Sequence, residues 1–356
     1  MDFIVENALK NDDSNAGFNT EGLEIGKANI KVVGVGGAGN NMVDWLYKKG
    51  IKGAEIIACN TDKQHIDATE ADRKFLLGKN LTRGLGCGGY PAKGSEAAKE
   101  TLQEVKDSIK SADMVFVCAG MGGGTGTGAA PIIAKVAKDM GSIVIGTVTM
   151  PFNIERARID KAEFGLQQLR EVSNTVIVID NNRLVNIAGN LPVKQAFAVA
   201  NELIATMIRG IVETIAVPSL VNLDFADVKA IMTGGGVAAI GVGSSDTDAK
   251  VEEAVKSAMT NPLLDIDYKG ADGALIHIEG GSEMTLDDVS KVGDLITAGL
   301  DPDANVIWGA RVSEEMKGKL CVMVIVTGVT SPWIVGKKEE AEATRRMSED
   351  LGISSI

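Results

Sequence analysis

Seven consecutive residues, Gly122-Gly123-Gly124-Thr125-Gly126-Thr127-Gly128, carry the plainest chemistry in the chain. They lie between an apolar run of strand length, Met114 to Gly120, and a segment of helical period from about Ala129 to Met140. Glycines let the backbone turn back and present N–H groups with no side chain in the way. The helix behind them adds the positive end of its dipole. Together these predict a phosphate cradle. A second glycine turn, Gly34, Gly36 and Gly39, fits G-x-G-x-x-G between the strand Ile30–Val35 and a helix to about Lys49. A third, Gly84-Leu85-Gly86-Cys87-Gly88-Gly89, precedes a helical stretch from about Lys93 to Ser111.

Taken alone, the second turn suggests NAD. Asp62 follows the strand Glu55–Asn60, about where the ribose-binding acid of a nicotinamide oxidoreductase stands. Such an enzyme needs only one pyrophosphate loop, however, and no His or Tyr-x-x-x-Lys is placed for hydride transfer. Two or three glycine loops at the carboxyl edge of one parallel sheet suit a longer phosphate chain. No G-x-x-x-x-G-K-[ST] occurs, so the cradle lacks a P-loop lysine. Later comes Asn222-Leu223-Asp224-Phe225-Ala226-Asp227-Val228, whose two carboxylates are candidates for chemistry. Asp224 also suits a helix N-cap with Asp227 in the first turn, and residue types alone leave both roles open.

The elements that must position these groups alternate. After the strands and helices above come a strand at Ser142–Thr149, a helix from Glu155 to about Val172, and a strand at Thr175–Asp180. This predicts an α/β domain with a mostly parallel, Rossmann-like sheet. A long helix from about Pro192 to Val217 is apolar nearly all round, as a buried spine requires. Beyond it, strands near Val237–Gly243, Ala274–Glu279, Asn305–Ala310 and Lys319–Thr327, with helices near Asp246–Thr260 and Leu286–Ala298, predict a second, smaller α+β domain. The expected division is a flexible extension over 1–28, a nucleotide domain over 29–190, the central helix and following loop over 191–222, the second domain over 223–329 and a tail over 330–356.

Composition narrows the partners. The 356 residues carry a net charge of −12, which argues against nucleic acid or an anionic membrane. Phosphate affinity must then come from local backbone and dipoles. Cys59, Cys87, Cys118 and Cys321 share no metal or redox spacing, and His65 and His277 stand apart, so no protein metal site is expected. No signal peptide or membrane-spanning run is visible.

With Gly36–Asn41, Asn60-Thr61-Asp62, Gly120 through Gly128, Pro151-Phe152-Asn153 with Glu155, and Asn222 through Val228 all in order, the chain from about 29 to 329 resembles FtsZ. These are the prokaryotic tubulin relatives that form the cell-division ring. The resemblance implies a tubulin/FtsZ GTPase domain binding GTP or GDP, with Mg2+ held mainly by phosphates and water. It implies that Gly37, Ala38, Gly39, Asn40 and Asn41, with Gly124, Thr125 and Gly126, hold the phosphates, and that Gly88 and Gly89 stand near the terminal one. Asp62 is counted with the nucleotide-binding set. Glu155 and Arg158 would contact ribose and its neighbours, Phe197 would stack on guanine, and Asn181 and Asn201 would read its edge. Asp224 and Asp227, with Asn222, belong to the loop that enters the next subunit's site in a head-to-tail filament.

Some positions depart from that pattern. Tyr90 stands before Pro91 where the family has Asn, and Glu155-Arg156-Ala157-Arg158 is one residue shorter than Glu-Gly-x-x-Arg, leaving Arg156 a rival to Arg158. The ending Leu351-Gly352-Ile353-Ser354-Ser355-Ile356 is similar to archaeal versions, whose tails dock on the membrane-linked adaptor SepF. The expected place is the cytoplasmic side of a mid-cell ring, without direct membrane insertion. A tubulin-like role in cell shape is the alternative.

Overall fold

In the computed structural model, residues 28–216, 219–221, 223–233, 237–260 and 271–329 are described. The first apolar run is β1 (Ile30–Val35), buried at all six positions. Its alternate side chains face opposite layers: Val33 and Val35 join one core, Ile30 and Val32 the other. Such two-sided burial explains why the strands read as continuous apolar runs rather than alternating ones.

The chain continues through α1 (Gly36–Lys49), β2 (Ala54–Asn60), α2 (Lys63–Ala68), β3 (Arg73–Leu76), α3 (Lys79–Thr82), α4 (Pro91–Glu100) and α5 (Leu102–Ile109). Then come β4 (Met114–Gly120), α6 (Thr125–Asp139), β5 (Ile143–Met150), a 3-10 turn at Asn153–Glu155, α7 (Ala157–Val172), β6 (Thr175–Asp180) and α8 (Asn181–Ala188). The six strands lie in the order β3-β2-β1-β4-β5-β6, all parallel, the doubly wound arrangement. Loops that leave their carboxyl ends therefore gather along one edge.

Next is α9 (Val193–Ala216), the spine, 24 residues long, or roughly 36 Å. After it come α10 (Phe225–Thr233), β7 (Val237–Ser245), α11 (Lys250–Met259), β8 (Gly273–Gly280), α12 (Leu286–Thr297), β9 (Asn305–Val312) and β10 (Leu320–Val329). β10 runs antiparallel between β7 and β8, and β9 lies parallel to β8 at the edge. This second, mixed sheet continues from the first through one paired position, Val176 with Val237.

The structure differs from sequence expectation in four places. The stretch expected as one helix over 93–111 breaks at Thr101, whose hydroxyl accepts the Gly78 N–H at 3.0 Å. The helix after the glycine loop starts at Thr125, four residues earlier than its apolar period, because its first turn packs by backbone contact. The spine is not buried all along: Val193 is 72% exposed and Phe197 43%, with burial beginning at Ala200. Its first turns border a cleft instead of a core. Finally, α2, β3, α3 and α8 are short elements without a usable period, two of them started by local caps from Asp62 and Asp180.

The spine joins the two edges of the sheet. It begins at the carboxyl edge and ends where a Cβ on Gly53 would lie 2.3 Å from Ala216 Cβ, just before β2. There α10 is fastened to the same edge by Thr175 Oγ1, at the start of β6, donating to the Met232 carbonyl at 3.2 Å. Near the top of the spine, Trp45 Nε1 of α1 donates to Glu202 at 2.6 Å and Lys49 pairs with it at 3.0 Å. Burial alone would raise the Glu202 carboxyl, but the indole and the ammonium outweigh it and hold it below its usual range.

In the second sheet, His277 is buried and its Nδ1 has no hydrogen-bond partner among the described residues. Burial, with Arg311 nearby, pushes its pKa down from 6.5 to about 4. An unfolded chain therefore binds a proton across that window that the folded chain does not, so stability falls as pH drops from 6.5 to 4. The loss should be on the order of 3 kcal/mol. Urea unfolding of wild type and His277→Gln across this range should give a shallower pH slope for the variant. Parallel slopes would exclude His277 as the source.

Candidate functional site

The loops after β1, β4, β5 and β6 enclose a cleft of about 490 Å³ at the carboxyl edge. Its floor is Gly37 and Ala38 from the start of α1, and Gly123, Gly124, Thr125 and Gly126 at the start of α6. Neither helix start has a side-chain cap, so first-turn N–H groups stay free to meet an anion. The two turns touch: a Cβ on Gly36 would lie 2.8 Å from Gly126 N, and Gly36 itself has φ +74°. Two helix dipoles thus converge on one spot. In a chain of net charge −12, that local field is what makes an anion site.

The wall opposite the glycines is Thr149, Pro151, Phe152, Glu155, Arg158 and Asn181, and Phe197 closes the far end. Phe152 meets Phe197 edge to face with centroids 6.0 Å apart. Arg158 pairs with Glu155 at 2.7 Å and brings the guanidinium into the cleft lining. Arg156 instead occupies the head of α7 with φ +39°, outside that lining. Phe197 also borders a second cavity between α1 and α9, about 720 Å³, lined by Asn41 and Asn201 among others.

Of the residues singled out in the sequence, Gly37, Ala38, Gly124, Thr125, Gly126, Glu155, Arg158, Asn181 and Phe197 share the cleft. Asn41 and Asn201 line the cavity next door, and Asn41 Oδ1 accepts from His65 Nε2 at 3.0 Å. Gly39 and Asn40 turn inward. A Cβ on Gly39 would lie 2.2 Å from the Cys118 carbonyl, and the buried Asn40 amide can donate to the Gly34, Gly36 and Cys59 carbonyls. Both shape the turn from beneath. Asp62 caps α2, accepting the His65 N–H at 3.2 Å. Gly88 and Gly89 sit at φ +61° and +77° on the neighbouring loop, with Gly89 N 3.3 Å from where a Gly124 Cβ would be.

Asp224 and Asp227 are elsewhere. They follow the far end of the spine, and Asp224 Oδ1 accepts the Asp227 N–H at 2.7 Å, a helix cap. Asn222 lies outside the described residues, as do the extension up to residue 27 and the tail from 330. Residue reasoning missed Met121, Thr149 and Phe152 as cleft lining. Phe152 carried a signal, since Pro151-Phe152 directly follows a strand, but Met121 and Thr149 look like ordinary strand-end residues. It also missed Thr61, whose hydroxyl lies 2.6 Å from that of Thr125. Among the described residues, no three His, Cys, Asp or Glu side chains converge as metal ligands, and no helix is long and apolar enough to cross a membrane.

Two family models match the chain. Residues 29–189 match the model of the Tubulin/FtsZ family GTPase domain, and 236–330 match that of the FtsZ family C-terminal domain. The chain is 56% identical over 337 residues to cell division protein FtsZ 2 of Methanocaldococcus jannaschii, covering 94% of this chain and 88% of that one. It is 52% identical to cell division protein FtsZ 2 of Halobacterium salinarum over 92% of this chain and 84% of the other. The solved FtsZ dimer of M. jannaschii, in its empty form, superposes with a TM-score of 0.80 at 47% identity, covering 85% of this chain and 88% of that one.

Proposed function

Because the chain belongs to the tubulin/FtsZ family of GTPases, we propose that its GTP site is completed only when a second copy stacks head to tail upon the first. The protein is a cell-division cytoskeletal GTPase that binds guanine nucleotide and self-associates. That membership sets aside the nicotinamide enzyme, and identities near one half to division proteins favour division over cell shape.

In this reading the first-turn N–H groups at Gly37, Ala38 and Gly124–Gly126 bind the phosphates, with Gly88 and Gly89 at the terminal one. Asn41 stands at the edge of the same cradle, while Gly39 and Asn40 act through the shape of the turn. Mg2+ is held by phosphate oxygens and water. Glu155 and Arg158 grip the ribose side, Phe197 stacks on guanine, and Asn181 and Asn201 read its edge with donor and acceptor groups. Asp62 holds the strand end beside them through its cap on α2.

The observation that carries the proposal is the length and direction of α9. It starts in the cleft and ends against Gly53 at the opposite edge, about 36 Å away. Asp224 and Asp227, with Asn222, follow that end, so they reach a nucleotide only across a subunit contact. There a carboxylate orients the attacking water. A contact of this kind is heterologous and open, and it propagates into filaments. The filament is placed at a cytoplasmic mid-cell ring, and the tail, through Ile353 and Ile356, is the docking point for a membrane-linked adaptor such as SepF.

Four measurements test this. Arg158→Ala should weaken GTP binding about tenfold, the loss of a charged hydrogen-bond donor, and Arg156→Ala by less than about twofold. Equal effects would mean the shortened motif is wrongly aligned. Deleting residues 345–356 should leave turnover and polymer formation intact and abolish adaptor capture; a truncated chain that still binds SepF places the docking point elsewhere. Asp224→Ala should bind GTP normally, turn it over at least about a hundredfold more slowly, and poison wild-type polymers when mixed. Turnover per molecule in the wild type should rise above a threshold concentration; a constant rate at all dilutions would refute the shared site.

A further inference from the structure

The loop 84–90 bears four glycines with positive φ: Gly84, Gly86, Gly88 and Gly89. Such a segment has many conformations open to it, so holding one of them needs contacts from outside. On its inner side the Cys87 thiol lies 3.4 Å from Thr61 Oγ1, and Thr125 Oγ1 lies 3.7 Å from that thiol. On its outer side the only side-chain hydrogen bond, among the described residues, to the carbonyl of Gly89 comes from Lys161 Nζ at 2.9 Å. The same ammonium sits 5.8 Å from the centre of the Tyr90 ring, within cation–π range.

Lys161 stands one turn beyond Arg158 on α7. The Arg158 carbonyl lies 2.8 Å from where a Gly122 Cβ would be, and a Cβ on Gly165 would lie 2.4 Å from Thr127. One face of α7 therefore touches the phosphate loop, the cleft and the 84–90 loop together. Neither the Gly88 nor the Gly89 N–H has a hydrogen-bond partner among the described residues, and Gly89 N lies beside Gly124.

The geometry points to Lys161, backed by Tyr90, as a positioning residue for the terminal phosphate. Its bond to the Gly89 carbonyl fixes the peptide planes of the loop, so that the free Gly88 and Gly89 N–H groups are held ready for a γ-phosphate. A charged donor on a carbonyl is stronger than a neutral one, which suits a clamp on so loose a segment. Lys161 itself is engaged by the loop and does not touch nucleotide. The inference rests on the reading that Gly88 and Gly89 serve the terminal phosphate. It predicts discrimination: GDP lacks the group the clamped loop receives, so removing the clamp affects GTP alone.

The test is titration of full-length protein with GTP and with GDP at concentrations below assembly. Lys161→Met should lose about five- to tenfold in GTP affinity while GDP affinity stays within about twofold. Lys161→Arg should retain the wild-type ratio, and Tyr90→Leu should lose part of it. An unchanged ratio in Lys161→Met, or equal loss for both nucleotides, overturns the clamp. Gly89→Ala separates the two levels, since its Cβ meets nothing within 4 Å but must hold φ +77°. If Gly89→Ala lowers the GTP-to-GDP ratio and Lys161→Met does not, the clamp alone is wrong. If neither lowers it, the loop does not serve the terminal phosphate and both readings fall.

Discussion

The structure depends on backbone approaching backbone at the carboxyl edge of the first sheet. Gly36 lies against Gly126, and Gly39 lies against the Cys118 carbonyl, each too close to admit a Cβ. Those contacts bring two uncapped helix starts to one point, which no arrangement of larger residues at these positions would permit. An acidic protein is a poor host for a triphosphate. Concentrating partial positive charge in immobile N–H groups solves this without lysines, whose long side chains would lose conformational freedom on binding. The buried Asn40 amide, placed among three backbone carbonyls, then fixes the turn from below.

A second constraint follows from the spine. α9 is fastened to α1 near the cleft by the Trp45 and Lys49 contacts with Glu202, and it presses on the second sheet lower down, where a Cβ on Gly210 would lie 2.4 Å from the Met323 sulfur. Among the described residues, the two sheets are paired to each other at one position, Val176 with Val237. The spine, packed on both, therefore adds a second connection beside the strand pairing. A helix of roughly 36 Å transmits a shift along its axis with little bending. It also sets the carboxylates beyond its end apart from the cleft by about its own length.

Much of this was legible in the residues. The parallel sheet followed from apolar runs alternating with helical periods, and Gly124, Thr125 and Gly126 lie where glycine turns at a parallel sheet edge put them; Asn181 and Phe197, which line the same cleft, came only from the family resemblance. What failed had local causes. Thr101 was hidden inside a helical pattern because its value is tertiary, a hydroxyl bonded to Gly78 across the fold. The exposed first turns of the spine read as core because apolar residues that border a ligand cleft have the same period as those that border a neighbouring element. Gly39 and Asn40 fell within a binding motif, yet they face inward; motif membership does not say which way a residue points.

The Arg156 backbone shows how the cleft wall depends on a strained corner. A positive φ is costly for a residue with a Cβ, and here it is adopted at the head of α7 by a shortened turn. The strain has a geometric consequence. It starts the helix at Ala157, so that Arg158 enters the cleft while Lys161, Ala162 and Gly165 follow on the turns behind it. Ala162 and Gly165 are buried, and Gly165 allows α6 to approach through Thr127. A helix started one residue later would rotate by about 100° and turn the guanidinium, the Gly89 contact and this small-residue face away together. The position of Arg158 and the seating of Gly165 against Thr127 of α6 are thus one choice of register.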